Sequence, residues 1–278
     1  MDTVTDRPLE EQIRYEVRNQ VAWITIDRPE RGNALPPEGR DRIRDLVNGL
    51  NHQLDVRAAV ITASGEKMFC PGADISMNRE PLPRPDGAPE STVGEARRMM
   101  LDGQHTLMPA ILDCDKPIIA AVNGTAAGMG AHLALMCDLV IMAEEARMIE
   151  IFARRALVPD ALGTWILPRL VGLHKAKELM FFADDIPAAE ALRIGLVNRV
   201  VPRTELMDAA TEWAERLASG PTKVHGMTKQ LLNRSLDVDR QTITHHEAWM
   251  VDANLRTEDF AEGMASFRER RDATYKGW

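Results

Sequence analysis

Three short and nearly uninterrupted apolar runs, AAVITA at 58–63, PIIAAV at 117–122 and DLVIMA at 138–143, constrain this chain more than any other feature. None shows the alternation of a half-solvated strand, so each reads as a strand covered on both faces. Helix-spaced Ile43, Leu46, Val47 and Leu50 precede the first run, and a helical stretch at 128–136 separates the second from the third. This β-α-β rhythm predicts an α/β fold with a largely parallel, buried sheet. Upstream, IRYEVRNQVAWITIDRP at 13–29 predicts two short strands, the second apolar on both faces.

Three segments follow from the same patterns. Residues 1–10 are polar and expected to be a flexible N-terminus, 11–202 form the α/β body, and 203–278 are helical, with charge-rich patterns at 205–218, 221–236, 243–255 and 257–272. Within the body, residues 79–94 have several prolines and few large apolar side chains, which predicts a mobile surface loop.

Composition narrows the function classes. The 34 basic and 42 acidic side chains leave a net charge of −8, and no aromatic-basic recognition motif is present, so nucleic acid is not an expected partner. No apolar stretch of about 18 residues exists and the first residues carry no basic-then-apolar leader, which disfavours a membrane span and secretion. Cys70, Cys114 and Cys137 are odd in number and widely spaced, so neither a disulfide framework nor a zinc site is expected, and a reducing, cytoplasmic location fits. His245-His246-Glu247 lacks a second ligand one helical turn on, where Met250 stands, so no metal site is read there.

Two glycine-punctuated strand ends carry chemistry: MFCPGADI at 68–75 and NGTAAGMGAHLALMCD at 123–138. Glycine permits close backbone approach, and a helix N-terminus offers unpaired N–H groups. Two such ends facing one point would hold a negative charge developing on an oxygen.

In ITIDRPERGNAL (24–35), AVITASGEKMFCPGADI (59–75), PIIAAVNGTAAGMGAHLALMCDLVIMAE (117–144), LVPDALGTWILPRLVGLHKAKEL (157–179), AAEALRIGLVNRVVP (188–202) and RTEDFAEGMASFRERR (256–271), in this order, the chain resembles the crotonase (enoyl-CoA hydratase/isomerase) superfamily. The resemblance implies a crotonase (ClpP-like) spiral of repeated ββα units with a C-terminal helical trimerisation region. It implies an acyl-CoA thioester as substrate, no separate cofactor, and a homotrimer or a hexamer made of two trimers. By position, the oxyanion donors would be the N–H groups of Ala73 and of Met129, which follows Gly128. Ala73, Asp74, Ile75 and Ser76 would run along the CoA, although Ser76 replaces a frequent Lys. Arg28 is a cation available to CoA phosphate, and the C-terminal helices would lend an aromatic, Phe267, and a cation, Lys276, to the CoA of the same or a neighbouring subunit.

The two glutamates of the hydratase pattern are replaced by His132 and Phe152. Asp160, in LVPDALG, coincides with the carboxylate of the isomerase and dehalogenase branches, which makes it the expected proton shuttle; the alternative is an N-cap for a helix starting near Ala161. His132 is read as a second acid/base, as a hydrogen-bond partner of Asp160, or as a buried structural histidine. Glu150 is expected on a strand, facing solvent or in an ion pair, unless a bulge carries it into the site. Cys70 is read as a small core residue. One carboxylate suffices to move a double bond, whereas hydration usually shares its proton work between two groups, so isomerisation is preferred over hydration. The alternatives are a thioester or carbon–carbon hydrolase on the same fold, and a catalytically silent acyl-CoA binder.

Overall fold

A computed structural model describes residues 7–75 and 84–278. The expected two-strand start is a hairpin, β1 (Ile13–Arg18) and β2 (Val21–Ile26), closed by Asn19 and Gln20, both left-handed. After α2 (Pro37–Leu50), the apolar runs become β3 (Ala58–Ala63), β5 (Ile118–Val122) and β7 (Leu139–Ala143). With β10 (Arg199–Val201) they form a six-stranded sheet in the order β1-β2-β3-β5-β7-β10, parallel from β2 onward. Every residue of β3 and β5 is buried, as their lack of alternation requires.

A second sheet of very short strands accompanies it: β4 (Met68–Cys70), β6 (Thr125–Ala127), β8 (Arg147–Ile149) and β9 (Asp185–Pro187), in that order. Each long strand feeds one short strand, β3 into β4, β5 into β6 and β7 into β8. Helices then return the chain: α3 (Glu95–Asp102) and α4 (Gln104–Leu112) after β4, α5 (Met129–Leu135) after β6, and α6 (Gly163–Val171) and α7 (Leu173–Phe182) after β8. The fold is therefore the expected spiral of ββα units. α5 is buried over its whole length, wedged against strands of both sheets.

The two remaining short helices are α1 (Leu9–Gln12), which falls partly inside the stretch read as flexible, and α8 (Ala188–Arg193). The helical tail comprises α9 (Leu206–Ser219), α10 (Thr222–Arg234), α11 (Arg240–Asn254) and α12 (Glu258–Glu269). α9 packs across the long sheet, while Lys229 of α10 reaches into the core and donates to Asp138 Oδ2 and the Ile111 carbonyl, both at 2.8 Å. Arg57, just before β3, ties down the end of the chain by donating to Thr222 Oγ1 and the Tyr275 carbonyl at 3.0 Å each. Of the stretch read as a mobile loop, 84–94 is turns and bends leading into α3, and 79–83 lies outside the described residues.

Candidate active site

Three parallel neighbours in the short sheet bring the site together. β4 pairs with β6 (Cys70 with Ala126) and β6 with β8 (Ala127 with Ile149), so the segments that leave their C-terminal ends lie side by side. Gly72 follows β4, Gly128 follows β6, and Glu150 follows β8. The Gly128 N–H donates to the Ile149 carbonyl at 2.9 Å, stitching two of these segments together.

Gly72 has φ +108°, a conformation L side chains rarely adopt, and its α-carbon hydrogens face the next segment: a Cβ there would lie 3.6 Å from the Met129 nitrogen. The following residue, Ala73, bridges to Leu35. The Leu35 N–H donates to the Gly72 carbonyl and the Asp74 N–H to the Leu35 carbonyl, both at 2.9 Å, so the intervening Ala73 N–H points away from this ladder. Met129 opens α5, and its N–H is likewise not taken up by another group among the described residues. Two main-chain donors, Ala73 and Met129, are thus gathered on adjacent segments.

Arg28 departs from its expected place. It is 2% exposed, and its guanidinium pairs with Asp74 Oδ2 at 3.1 Å and donates to the Ala34 carbonyl, so it is an internal clamp on the Gly72–Asp74 segment and not a phosphate contact. The side chain of Asp74 is accordingly turned inward. Ile75 is almost fully exposed, and Ser76 lies outside the described residues. Phe267 is exposed on α12, and Lys276 Nζ pairs with Glu258 at 3.0 Å. The tail that carries Lys276 is tied to Arg57, at the end of β3 opposite the one leading to β4.

His132 and Glu150 form a pair that the sequence did not join. His132 Nε2 lies 2.9 Å from Glu150 Oε2, and both side chains are closed to solvent. Glu150 therefore does not face water: immediately past β8, it turns in toward α5. Phe152 stacks on the imidazole with ring centres 5.4 Å apart. The Cε1–Nε2 edge of the ring packs on Gly163, where a Cβ would fall 1.9 Å from His132 Cε1 and 2.1 Å from Nε2. His132 Nδ1 is buried with no partner among the described residues.

Asp160 stands on the turn before α6. It does not cap that helix: α6 begins at Gly163 without a side-chain cap, and only the main-chain carbonyl of Asp160 accepts from the Gly163 N–H, at 3.0 Å. Nor is His132 its partner. Asp160 Oδ2 accepts from Gln104 Nε2 at 3.1 Å, while Oδ1 is buried with no hydrogen bond among the described residues. Gln104 escaped the sequence reading because one polar residue at the start of an apolar helix carries no signal of what it meets 56 positions on. Leu157 and Val158, near Asp160, are exposed apolar side chains on the approach to it. Cys70 is fully buried and burial pushes its thiol up to about 12, which suits a core residue and not a nucleophile.

The arrangement offers two main-chain N–H donors on adjacent segments, which would suit an oxygen that becomes negative, and, on the turn before α6, a carboxylate with one oxygen unpartnered among the described residues. Known proteins resemble the chain over nearly its whole length. A family model described as enoyl-CoA hydratase/isomerase matches residues 16–278. The chain is 36% identical to the short-chain-enoyl-CoA hydratase of Clostridium acetobutylicum, over 92% of this chain and 94% of that one. It is 31% identical to the 1,2-epoxyphenylacetyl-CoA isomerase of Escherichia coli, over 96% and 99% respectively. Among solved structures, an enoyl-CoA hydratase from Bacillus anthracis superposes with a TM-score of 0.86 at 32% identity, covering 96% of this chain and all of that one.

Proposed function

Because this chain belongs to the enoyl-CoA hydratase/isomerase family, within the crotonase superfamily, we propose that it moves a double bond along an enoyl-CoA, with Asp160 as its single proton shuttle. The observation that supports this reading is how the ionisable groups are committed. Asp160 keeps Oδ1 unpartnered, whereas His132 and Glu150 are spent on each other away from solvent. In a 3-enoyl-CoA, Asp160 removes a proton from the α-carbon. The electron pair moves onto the thioester oxygen, where the N–H groups of Ala73 and Met129 hold it, and the same carboxyl returns the proton at the γ-carbon, leaving a 2-enoyl-CoA. No cofactor is needed beyond the CoA that the substrate carries.

The buried Arg28 leaves CoA phosphate to other cations, and in this reading Phe267 and Lys276 serve the CoA of a neighbouring subunit. Leu232, Leu236, Trp249 and Leu255, exposed on α10 and α11 or just after them, give a trimer, or two trimers back to back, apolar surface to bury. Among the described residues no helix is long and apolar enough to cross a membrane. Three free, buried cysteines suit a cytoplasmic protein.

A second reading, hydration, is favoured by the unpartnered His132 Nδ1, which would supply the missing acid/base group with Glu150 behind it. Incubation with a medium-chain 3-enoyl-CoA separates the two. Conjugated absorbance with unchanged mass is the expected result; no change in the 3-enoyl-CoA, together with addition of one water to the already conjugated 2-enoyl-CoA, overturns the isomerase reading in favour of hydration.

A further inference from the structure

The Asp160 carboxylate is held at one oxygen only. Gln104, 6% exposed at the first position of α4, donates from Nε2 to Asp160 Oδ2 at 3.1 Å. The same nitrogen lies 3.0 Å from Met100 Sδ on α3, so the amide is pinned between a thioether and the carboxylate. Directly after Asp160 come Ala161 and Leu162, both left-handed at φ +49° and +58°. Two consecutive non-glycine residues in this region are costly, and such strain persists only where the surroundings over-determine the backbone. The backbone turn fixes the α-carbon of Asp160, but its carboxylate could still rotate about two side-chain bonds. Gln104 removes that freedom. Its N–H claims Oδ2, which leaves Oδ1 as the oxygen without a protein partner.

The geometry points to Gln104 as the positioning residue for the proton shuttle: it selects Oδ1 as the oxygen that takes the α-proton and holds it in register with the Ala73 and Met129 donors. This rests on the assignment of Asp160 as the base. It also gives α3 and α4 a role in rate, because any shift of that helical pair moves the amide and with it the carboxylate. A base misplaced by about 1 Å loses roughly a hundredfold in rate, so a single amide can govern turnover without touching substrate.

The test uses α-proton exchange of a saturated acyl-CoA in D2O, which reads C–H cleavage and reprotonation alone and is the same for isomerase and hydratase. Gln104→Met fills the space without a donor, and Gln104→Asn keeps a neutral amide but draws it one methylene back from Asp160. Both are expected to slow exchange by roughly 10- to 100-fold, with acyl-CoA affinity and melting temperature unchanged. Exchange at the wild-type rate in either variant overturns the inference, as does a loss of rate matched by an equal loss of affinity. Should Gln104→Met melt early, Gln104→Asn decides alone. Asp160→Asn separates the two levels: exchange abolished there but untouched in the Gln104 variants sinks only the role of Gln104, whereas exchange retained in Asp160→Asn sinks the proton-shuttle assignment itself.

Discussion

His132 Nε2 meets Glu150 Oε2 at 2.9 Å in a space closed to solvent, one residue from the second turn of α5 and the other from the end of β8. The pair occupies the ground behind the Met129 donor and ties the β8 exit to the helix that carries it. Its geometry makes it a brace first and an acid/base candidate second. Glu150→Ala leaves a buried imidazole without its partner, which costs about 1–3 kcal/mol, and urea unfolding is the measurement. In the isomerase reading the same variant still migrates double bonds, because Asp160 is untouched.

Gly163 is the counterpart of that brace on the α6 side. A methyl group there would sit 1.9 Å from His132 Cε1, far inside contact distance. Gly163→Ala is expected to lower stability by about 1–3 kcal/mol through overpacking, seen as an earlier thermal transition. His132→Ala in the same chain removes the clashing ring, so the double variant should be less unstable than the sum of the two single changes.

At Gly72 the space is sufficient and the backbone is the obstacle. The nearest atoms to an added Cβ are 3.6 Å away, but φ +108° is not a conformation alanine holds. Gly72→Ala therefore rotates the following N–H, that of Ala73, out of line with Met129. Loss of one oxyanion donor costs roughly 10²- to 10³-fold in kcat. Steady-state kinetics should show that fall with KM little changed.

The tail that carries Lys276 has its own pH limit. Glu262 accepts from Arg271 and, at 2.8 Å, from the Thr274 N–H, and these hydrogen bonds to the charged form hold its carboxyl down at about 2 against an ordinary 4.5. A depressed carboxyl contributes its attachment above the ordinary value and loses it as pH falls through the depressed one. Protection of the Thr274 amide against hydrogen exchange should therefore be full above about pH 4.5, decline as the pH falls toward 2, and be absent at all pH values in Glu262→Ala.

The long strands could be read from the chain because burial on both faces writes itself as an unbroken apolar run, and the tail helices because their surfaces alternate charge and apolar positions at helical spacing. β4 and β6 could not: three residues are too few for any periodicity, and both are hidden in glycine-punctuated stretches, whereas the strand expected around Glu150 is β8, which ends one residue before it. The ββα spiral therefore came from resemblance alone. In the site, the main-chain donors were legible because glycine marks where backbone must approach backbone. The side-chain partnerships were not. Arg28 and Lys276 look alike as charges, and only the fold puts one against Asp74 inside and leaves the other on the surface. Nothing local in the sequence pairs His132 with Glu150 or Gln104 with Asp160, since each pair is made by elements that meet only in three dimensions.

The half of the site that would hold the oxygen is main chain at the ends of β4 and β6, while the half that would handle the proton is side chains on α4, α5, the β8 exit and the α6 turn. Backbone donors belong to the strand pairing and survive nearly any exchange of side chain; carboxylate, imidazole and amide can each be replaced one at a time. A scaffold so divided keeps its grip on a thioester while its proton chemistry is rewritten. In such a scaffold the exchange that the resemblance implies, two glutamates for a histidine and a phenylalanine with the proton work passed to a carboxylate on another turn, would leave the main-chain half of the site as it was.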